Sequence, residues 1–259
     1  MAMTASRSRP VSGKTSLYVY GVTRAGAAAA SRGAGIGGAD VDAVEHGELA
    51  AVVSPVPEGP VRAKRRDLMR HMDVLRDVFA ASTVLPLQFG SVFPNVGAVA
   101  DGLLAQRHDE LVDLLQRFDG LAELRVRAAY REDVVLAEIV QGDARIARLR
   151  DRIQGAGAEA DPLRLQLGEA VARTLTARRE RDAHTISRML LPLARDAVVE
   201  EPRTEYELMR ASYLVEQRQI PEFDSLMEEL ARTERERTAF TYAGPLPPHS
   251  FVGLSHGGG

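Results

Sequence analysis

Val84-Leu85-Pro86-Leu87-Gln88-Phe89-Gly90-Ser91-Val92-Phe93-Pro94 is the most apolar unbroken run in the middle of a long segment, and strongly periodic helical patterns flank it on both sides. Prolines at its third and last positions argue against a helix, because proline removes an intrahelical donor and clashes with the preceding turn. Its β-branched and aromatic residues favour a pleated, buried element. The run therefore predicts a buried central strand, with Pro86, which has no N–H to give a ladder, at an edge or a bulge. Leu85, Leu87 and Phe89 are expected to hold the sheet. Gln88, Ser91 and Phe93 are expected to be the residues open to a partner.

Working outward, Leu17-Tyr18-Val19-Tyr20-Gly21-Val22 is apolar on both faces and predicts a strand beside the central one. Ala25 to Gly38 has no period and reads as a loop with one weak helical turn. Val41–Glu45 and Glu48–Ser54 flank His46-Gly47, a two-residue hairpin turn in which glycine supplies the positive φ. From Arg62 to Ser82 the residues Leu68, Met72, Leu75 and Phe79 form one helical face, and Val96, Val99, Leu103, Leu111, Leu114 and Phe118 form another that stops at Asp119-Gly120. Leu124, Val126, Ala128 and Tyr130 then alternate with Glu123, Arg125 and Arg127, which predicts a half-buried antiparallel strand with the charges in solvent.

Beyond Tyr130, the short apolar run Val134–Val140 reads as a strand. Ile146, Leu149 and Ile153, and after a break at 155–161 Leu163, Leu167, Val171 and Leu175, predict a helical hairpin. A further helix carries Ile186, Leu190, Leu193 and Ala197, with Pro192 expected to kink it near Arg188. Glu207–Glu216 alternates as a strand, Phe223, Leu226, Met227 and Leu230 mark a last helix opened by Pro221, and Thr238–Tyr242 is a final strand leading into a proline-rich end. The expectation is an α+β protein of two domains. A disordered arm spans 1–16, and an N-terminal ferredoxin-like domain, a split βαβ variant whose first helix is replaced by irregular chain, spans 17–130. A C-terminal helix-rich α+β domain spans 131–252, and a disordered tail spans 253–259.

Composition narrows the function. With 33 basic and 36 acidic residues the net charge is −3, so no global field draws the chain to nucleic acid or to an anionic membrane. Lys14 and Lys64 are the only lysines, a bias in codon usage before it is a phosphate-binding signal. There are no cysteines, which excludes disulfides and thiolate chemistry and suits a cytoplasmic protein. No stretch reads as a signal peptide or a transmembrane span.

Literal motifs fail on context. Gly33-Ala34-Gly35-Ile36-Gly37-Gly38 has the spacing of a dinucleotide loop but joins no strand directly to a helix, and Gly13-Lys14-Thr15 lacks the rest of a P-loop. A small-ligand or nucleotide-binding module would have to use that Gly33–Gly38 loop with the Arg62, Lys64, Arg65 and Arg66 cluster, which otherwise reads as a solvated helix face. The six histidines show no metal-ligand spacing; His71 reads as a packed histidine and His108-Asp109-Glu110 as a polar helix face. No acid–base pair, nucleophile elbow, metal site or cofactor site is nominated, and the chain is not expected to be an enzyme.

Three separated segments carry a resemblance. Leu17–Val22, Val84–Pro94 and Tyr242-Ala243-Gly244-Pro245-Leu246-Pro247-Pro248-His249-Ser250-Phe251 resemble, in order, the opening strand, the middle and the ending of the gas vesicle protein family GvpF/GvpL, with a slight lean to the F branch. The chain departs from that pattern at Gln88, where the family has arginine, and at Ala243, Leu246 and His249, where it has threonine, tryptophan and tyrosine. The resemblance implies two α+β domains, no enzymatic activity and no cofactor. It implies an accessory or minor structural protein of gas vesicle assembly, located in the cytoplasm or on the vesicle. Its implied partners are the small, very hydrophobic shell protein GvpA and other accessory proteins, with no nucleic acid and no membrane. The candidate partner-binding residues are Tyr18, Tyr20, Gln88, Ser91, Phe93, Pro248, His249 and Phe251.

Overall fold

The computed structural model describes residues 16–27, 33–56, 64–154 and 160–253. The fold is α+β, with two antiparallel sheets and long helices. The chain divides into two compact units: Met1–Glu123 joined by Pro245–Gly259, and Leu124–Gly244. Apart from Ser16 and Gly253, the arm and the tail expected to be disordered lie outside the described residues.

In the first unit β1 (Ser16–Arg24), β2 (Asp42–His46) and β3 (Leu49–Val56) precede helix α1 (Arg65–Phe79), and β4 (Val84–Pro86) and β5 (Val92–Phe93) follow it. The sheet order is β2-β3-β1-β4, with β5 also on β1 and every pair antiparallel. The central strand is β1, buried from Leu17 to Val22, as its two apolar faces require. The hairpin forms as expected, with Gly47 at φ 59.

The Val84–Pro94 run departs from expectation. It is two short strands on one side of β1, not a single central strand. The Leu87 N–H donates to the Tyr20 carbonyl (2.9 Å) and the Val19 N–H to the Ser91 carbonyl (2.9 Å), so the backbone stays tied on both sides of a turn at Gln88–Gly90. Two local features cause the split: Gly90 sits at φ 97, and β1 slips register between Val19 and Gly21, so Tyr20 bulges.

Helix α1 also differs in its face. Asp67, His71, Val74, Leu75, Val78 and Phe79 are buried while Leu68 is exposed, because the first turns of the helix lie over tyrosines of β1 and present polar groups to them. The single helix expected from Val96 to Phe118 is α2 (Val96–Val99), a π turn (Ala100–Ala105) and α3 (His108–Arg117). Val99, Leu103, Leu111 and Phe118 of the expected face are buried; the π turn adds a residue, and Leu104 and Leu115 are buried beside them while Val96 and Leu114 are half-buried. Gly120, at φ 68, ends α3.

The second unit is built on β6 (Leu121–Tyr130), α4 (Glu132–Gly142), α5 (Ala144–Gln154), α6 (Ala160–Leu190), β7 (Asp196–Glu200), β8 (Glu207–Glu216), α7 (Ile220–Thr233) and β9 (Thr238–Leu246), with sheet order β7-β8-β6-β9. The Val134–Val140 run is helical, not a strand: Val135 and Ile139, four apart, are its buried residues. Helix α6 is continuous for 31 residues and takes in the segment expected to be a separate kinked helix. Pro192 lies past its last turn, in a 3-10 turn, and so ends the helix without bending it. Ala197 belongs to β7, a strand the periodicity did not announce. Helices α4 to α7 cover one face of the sheet around Leu124, Val126, Met209, Ala211, Tyr213 and Phe223.

Candidate interaction site

The centre of the first unit is a ring cluster built on Tyr18 and Tyr20, which strand alternation puts on one face of β1. Tyr18 and Tyr20 point to the same face, with ring centroids 4.9 Å apart. His71 of α1 lies 5.7 Å from both, and Phe89 caps the group at 5.9 Å from Tyr18 and 5.8 Å from His71. Polar atoms inside this cluster are paired in series. The Gly90 N–H donates to the Tyr18 hydroxyl (3.1 Å), which lies 2.9 Å from His71 Nδ1. The Ile36 N–H donates to the Tyr20 hydroxyl (2.8 Å), which in turn meets Ser54 Oγ at 2.8 Å.

The glycine-rich segment is therefore a packing element. A Cβ at Gly35 would stand 2.3 Å from the Tyr20 hydroxyl, so only glycine lets the chain lie against that ring.

Burial sets the charge of the site. It lowers the His71 pKa from 6.5 to about 4; nearby His249 lowers it further, and a hydrogen bond to the Leu87 backbone partly opposes them. His71 is thus neutral at physiological pH, and the tautomer that satisfies Tyr18 and Leu87 together carries its proton on Nε2. Burial, the largest cause in each, pushes the Tyr18 phenol well above its usual range and raises that of Tyr20. Neutral, buried and internally paired, these groups serve packing; none is placed to exchange protons with a substrate in solvent.

The chain end closes the same unit. Glu123, expected on the solvent face of β6, is fully buried. Its carboxylate accepts from the Ser250 N–H (2.7 Å) and the Ser250 hydroxyl (2.8 Å), while the Phe251 and Val252 N–H groups fold back on the Pro248 carbonyl. The proline-rich ending is accordingly extended through β9 and then a tight turn. Sequence alternation missed Glu123 because its partner is 127 residues away; a carboxylate breaking the pattern next to apolar neighbours was the available signal.

The residues nominated from sequence fall into two sets. Tyr18, Tyr20, Ser91, Phe93 and Pro248 are buried. Gln88 is exposed, and His249 and Phe251 are half-buried, as is Phe89, which sequence reading had placed in the sheet. His249 acts electrostatically on His71, so the opening strand, the middle run and the chain end meet around one histidine. The Arg65–Arg66 end of the basic cluster is exposed, with Arg66 3.2 Å from Asp67; Arg62 lies outside the described residues.

The second unit carries an ionic group on its helices. Asp182 accepts from the Tyr130 hydroxyl (2.7 Å) and lies 3.7 Å from Arg237, which also bonds Glu234 (2.6 Å); Arg178 pairs with Glu138. Clefts of about 200 Å³ and about 580 Å³ border this group. Each carboxylate in it faces a guanidinium, an arrangement that fixes helices and leaves no free acid or base. Among the described residues no three His, Cys, Asp or Glu side chains are grouped to hold a metal, and no helix is long and apolar enough to cross a membrane.

Comparison with known proteins agrees with the three motifs. The chain is 33% identical over 240 residues to gas vesicle protein F of Streptomyces sp. (strain CB03234), covering 92% of this chain and 99% of that one. It is 32% identical over 267 residues to gas vesicle protein L of the same strain, covering 92% and 93%. The crystal structure of GvpF from Anabaena sp. PCC7120 superposes with a TM-score of 0.81 at 23% identity, covering 93% of this chain and 100% of that one, which shows the shared fold. The family model described as gas vesicle synthesis protein GvpL/GvpF matches residues 16–253, so the buried ring cluster, the Gln88–Gly90 turn and the Glu123-held chain end all lie inside the matched span, and the chain belongs to the GvpL/GvpF family.

Proposed function

We propose that this protein is a gas vesicle accessory or minor structural protein that binds the hydrophobic shell protein GvpA and supports vesicle assembly, acting without catalysis in the cytoplasm and on the vesicle. The observation that carries this reading is the family match over 16–253 together with the meeting of the first two motif segments and the Pro245–Phe251 part of the third in one unit. A subunit destined for a gas-filled shell exposes apolar surface before assembly, and such patches aggregate unless a partner covers them. Contacts with other accessory proteins belong to the same reading.

The structure supports a division of labour among the nominated residues. Tyr18, Tyr20, Ser91, Phe93 and Pro248 hold the frame, and Gln88, His249 and Phe251, joined by Phe89, form the contact surface. The order β2-β3-β1-β4, antiparallel throughout, with an irregular segment between β1 and β2, supports the split βαβ, ferredoxin-like description of the first unit. The greater coverage of the F relative, 99% against 93% for the L relative, favours the F branch.

Co-expression with GvpA tests the proposal. The expected result is a complex that co-purifies and keeps GvpA soluble, weakened in a Gln88→Glu/Phe89→Ser double variant that retains the parent's thermal midpoint. Failure of the parent protein to co-purify with GvpA or change its solubility would overturn direct binding. Unchanged binding by the folded double variant would move the contact away from the Gln88–Gly90 turn.

A further inference from the structure

The edge of the second sheet is unfinished. Strand β7 stands at the end of the order β7-β8-β6-β9 and, among the described residues, pairs with β8 alone. Val199 pairs with Ala211 and Ala197 with Tyr213, both of which face the helix-covered core. Val199 lies on that same apolar face yet is 69% exposed, so the covering helices stop short of the edge. Val198, on the opposite face, is 36% exposed, and Leu191, in the turn leading into the strand, is 47% exposed.

Natural sheets blunt such edges with lysine, proline or a bulge, because an open row of backbone donors and acceptors invites another strand. Strand β7 has none of the three. Its ends carry acids instead: Asp196, Glu200 and Glu201 are exposed. Arg203 approaches Glu200 at 3.8 Å, whereas among the described residues Asp196 and Glu201 make no ion pair. Arg195 is committed to Glu216.

This charge pattern selects the occupant. A second copy pairing antiparallel about Val198 would set Asp196 against Glu200 twice; pairing about the Val198–Val199 bond would set Asp196 against Glu201. These are the two antiparallel registers that set both valines against apolar residues, and each places like charges opposite one another, which destabilises a cross-strand pair; the Arg195 that would face Glu201 in the first is held by Glu216. We propose that β7 is a docking edge for an extended segment of another protein with an apolar centre and basic residues at its ends, added as a further strand of the sheet. The surface deepens the reading of this protein as an assembly partner and rests on it for biological sense, but it is defined by its own chemistry.

The test uses the full chain and two synthetic five-residue peptides with a valine-threonine-valine centre, one with lysine at both ends and one with glutamate, so that the charged ends stand four residues apart, as Asp196 and Glu200 do. Binding is read by fluorescence anisotropy at low and high salt. The lysine peptide should bind about tenfold tighter than the glutamate peptide at low salt, since two attractive cross-strand pairs replace two repulsive ones. The preference should shrink as salt screens it. Val199→Lys, at a surface position, should abolish binding while leaving the thermal midpoint unchanged, and Asp196→Lys/Glu200→Lys should reverse the preference between peptides. Equal affinity for the two peptides, no binding of either, or binding untouched by Val199→Lys overturns the proposal. So does a dimer in sedimentation that Val199→Lys dissolves, which would make a second copy the occupant. No vesicle protein enters this assay, so its failure leaves the GvpA reading to the co-expression experiment, and failure there leaves the peptide result standing.

Discussion

Acidification should strip stability from the first unit, and His71 is the reason. Its pKa falls from 6.5 in an unfolded chain to about 4 in the folded one, chiefly because burial disfavours the imidazolium and then because His249 lies nearby. The folded state therefore binds fewer protons than the unfolded state between those two values, and stability must fall as pH falls through that window. The whole displacement corresponds to about 3 kcal/mol at about 1.4 kcal/mol per pH unit. About 2 kcal/mol of it is lost between about pH 7 and about pH 5. Urea unfolding at those two pH values measures the loss directly, and His71→Gln, which keeps a polar group facing Tyr18 but cannot titrate, should flatten the dependence by the same amount. If the parent and the His71→Gln variant lose equal stability between about pH 7 and about pH 5, the argument is wrong: His71 is then either hydrated or already protonated when folded.

Two further substitutions probe the same unit. Glu123→Ala removes the acceptor of both Ser250 bonds and should cost about 2–4 kcal/mol, with the Ser250 amide losing its protection against hydrogen exchange; retained protection would show that the turn holds itself. Gly35→Ala drives a methyl group to 2.3 Å from the Tyr20 hydroxyl and should destabilise by about 1–3 kcal/mol in thermal unfolding, while alanine at Gly33, whose Cβ would meet Asp77 Oδ2 at an ordinary 3.6 Å, should change little.

Much of the architecture was legible from sequence because side-chain period reports which face meets a core. Strand β1, the β2–β3 hairpin, α1, β6, β8 and α7 all sit where alternation or helical spacing placed them. The failures have local causes. Val134–Val140 is apolar but for Glu138, so its period is nearly mute, and the burial of Val135 and Ile139 reveals a helix. A proline two residues beyond a helix end looks in sequence like one inside it, which is why a kink is expected near Arg188 where α6 has none. The Val84–Pro94 run kept its composition and lost its continuity, since a single glycine at positive φ suffices to break a strand.

The proposed contact surface was legible as motifs but not as surface. Tyr18, Tyr20, Ser91 and Phe93 are buried, whereas Gln88 at the turn before Gly90 is exposed. His71 and Asp67, polar residues on the buried side of α1, and Glu123 on β6 contradict the local hydrophobic pattern. Their partners are distant in the chain, and no local period can encode a contact across that separation.

The return of Pro245–Gly259 to the first unit has a consequence in time. Glu123 emerges from the ribosome 127 residues before Ser250 does. At roughly 5–20 residues per second, that is an interval of roughly 6–25 s. Throughout it the N-terminal unit lacks its closing segment, while the inserted unit, wholly made before the last residues appear, is free to fold. The first unit is thus begun before the second and completed after it, and a chain that stalls between Gly244 and Ser250 would hold every residue of the second unit and lack the partner of Glu123 in the first.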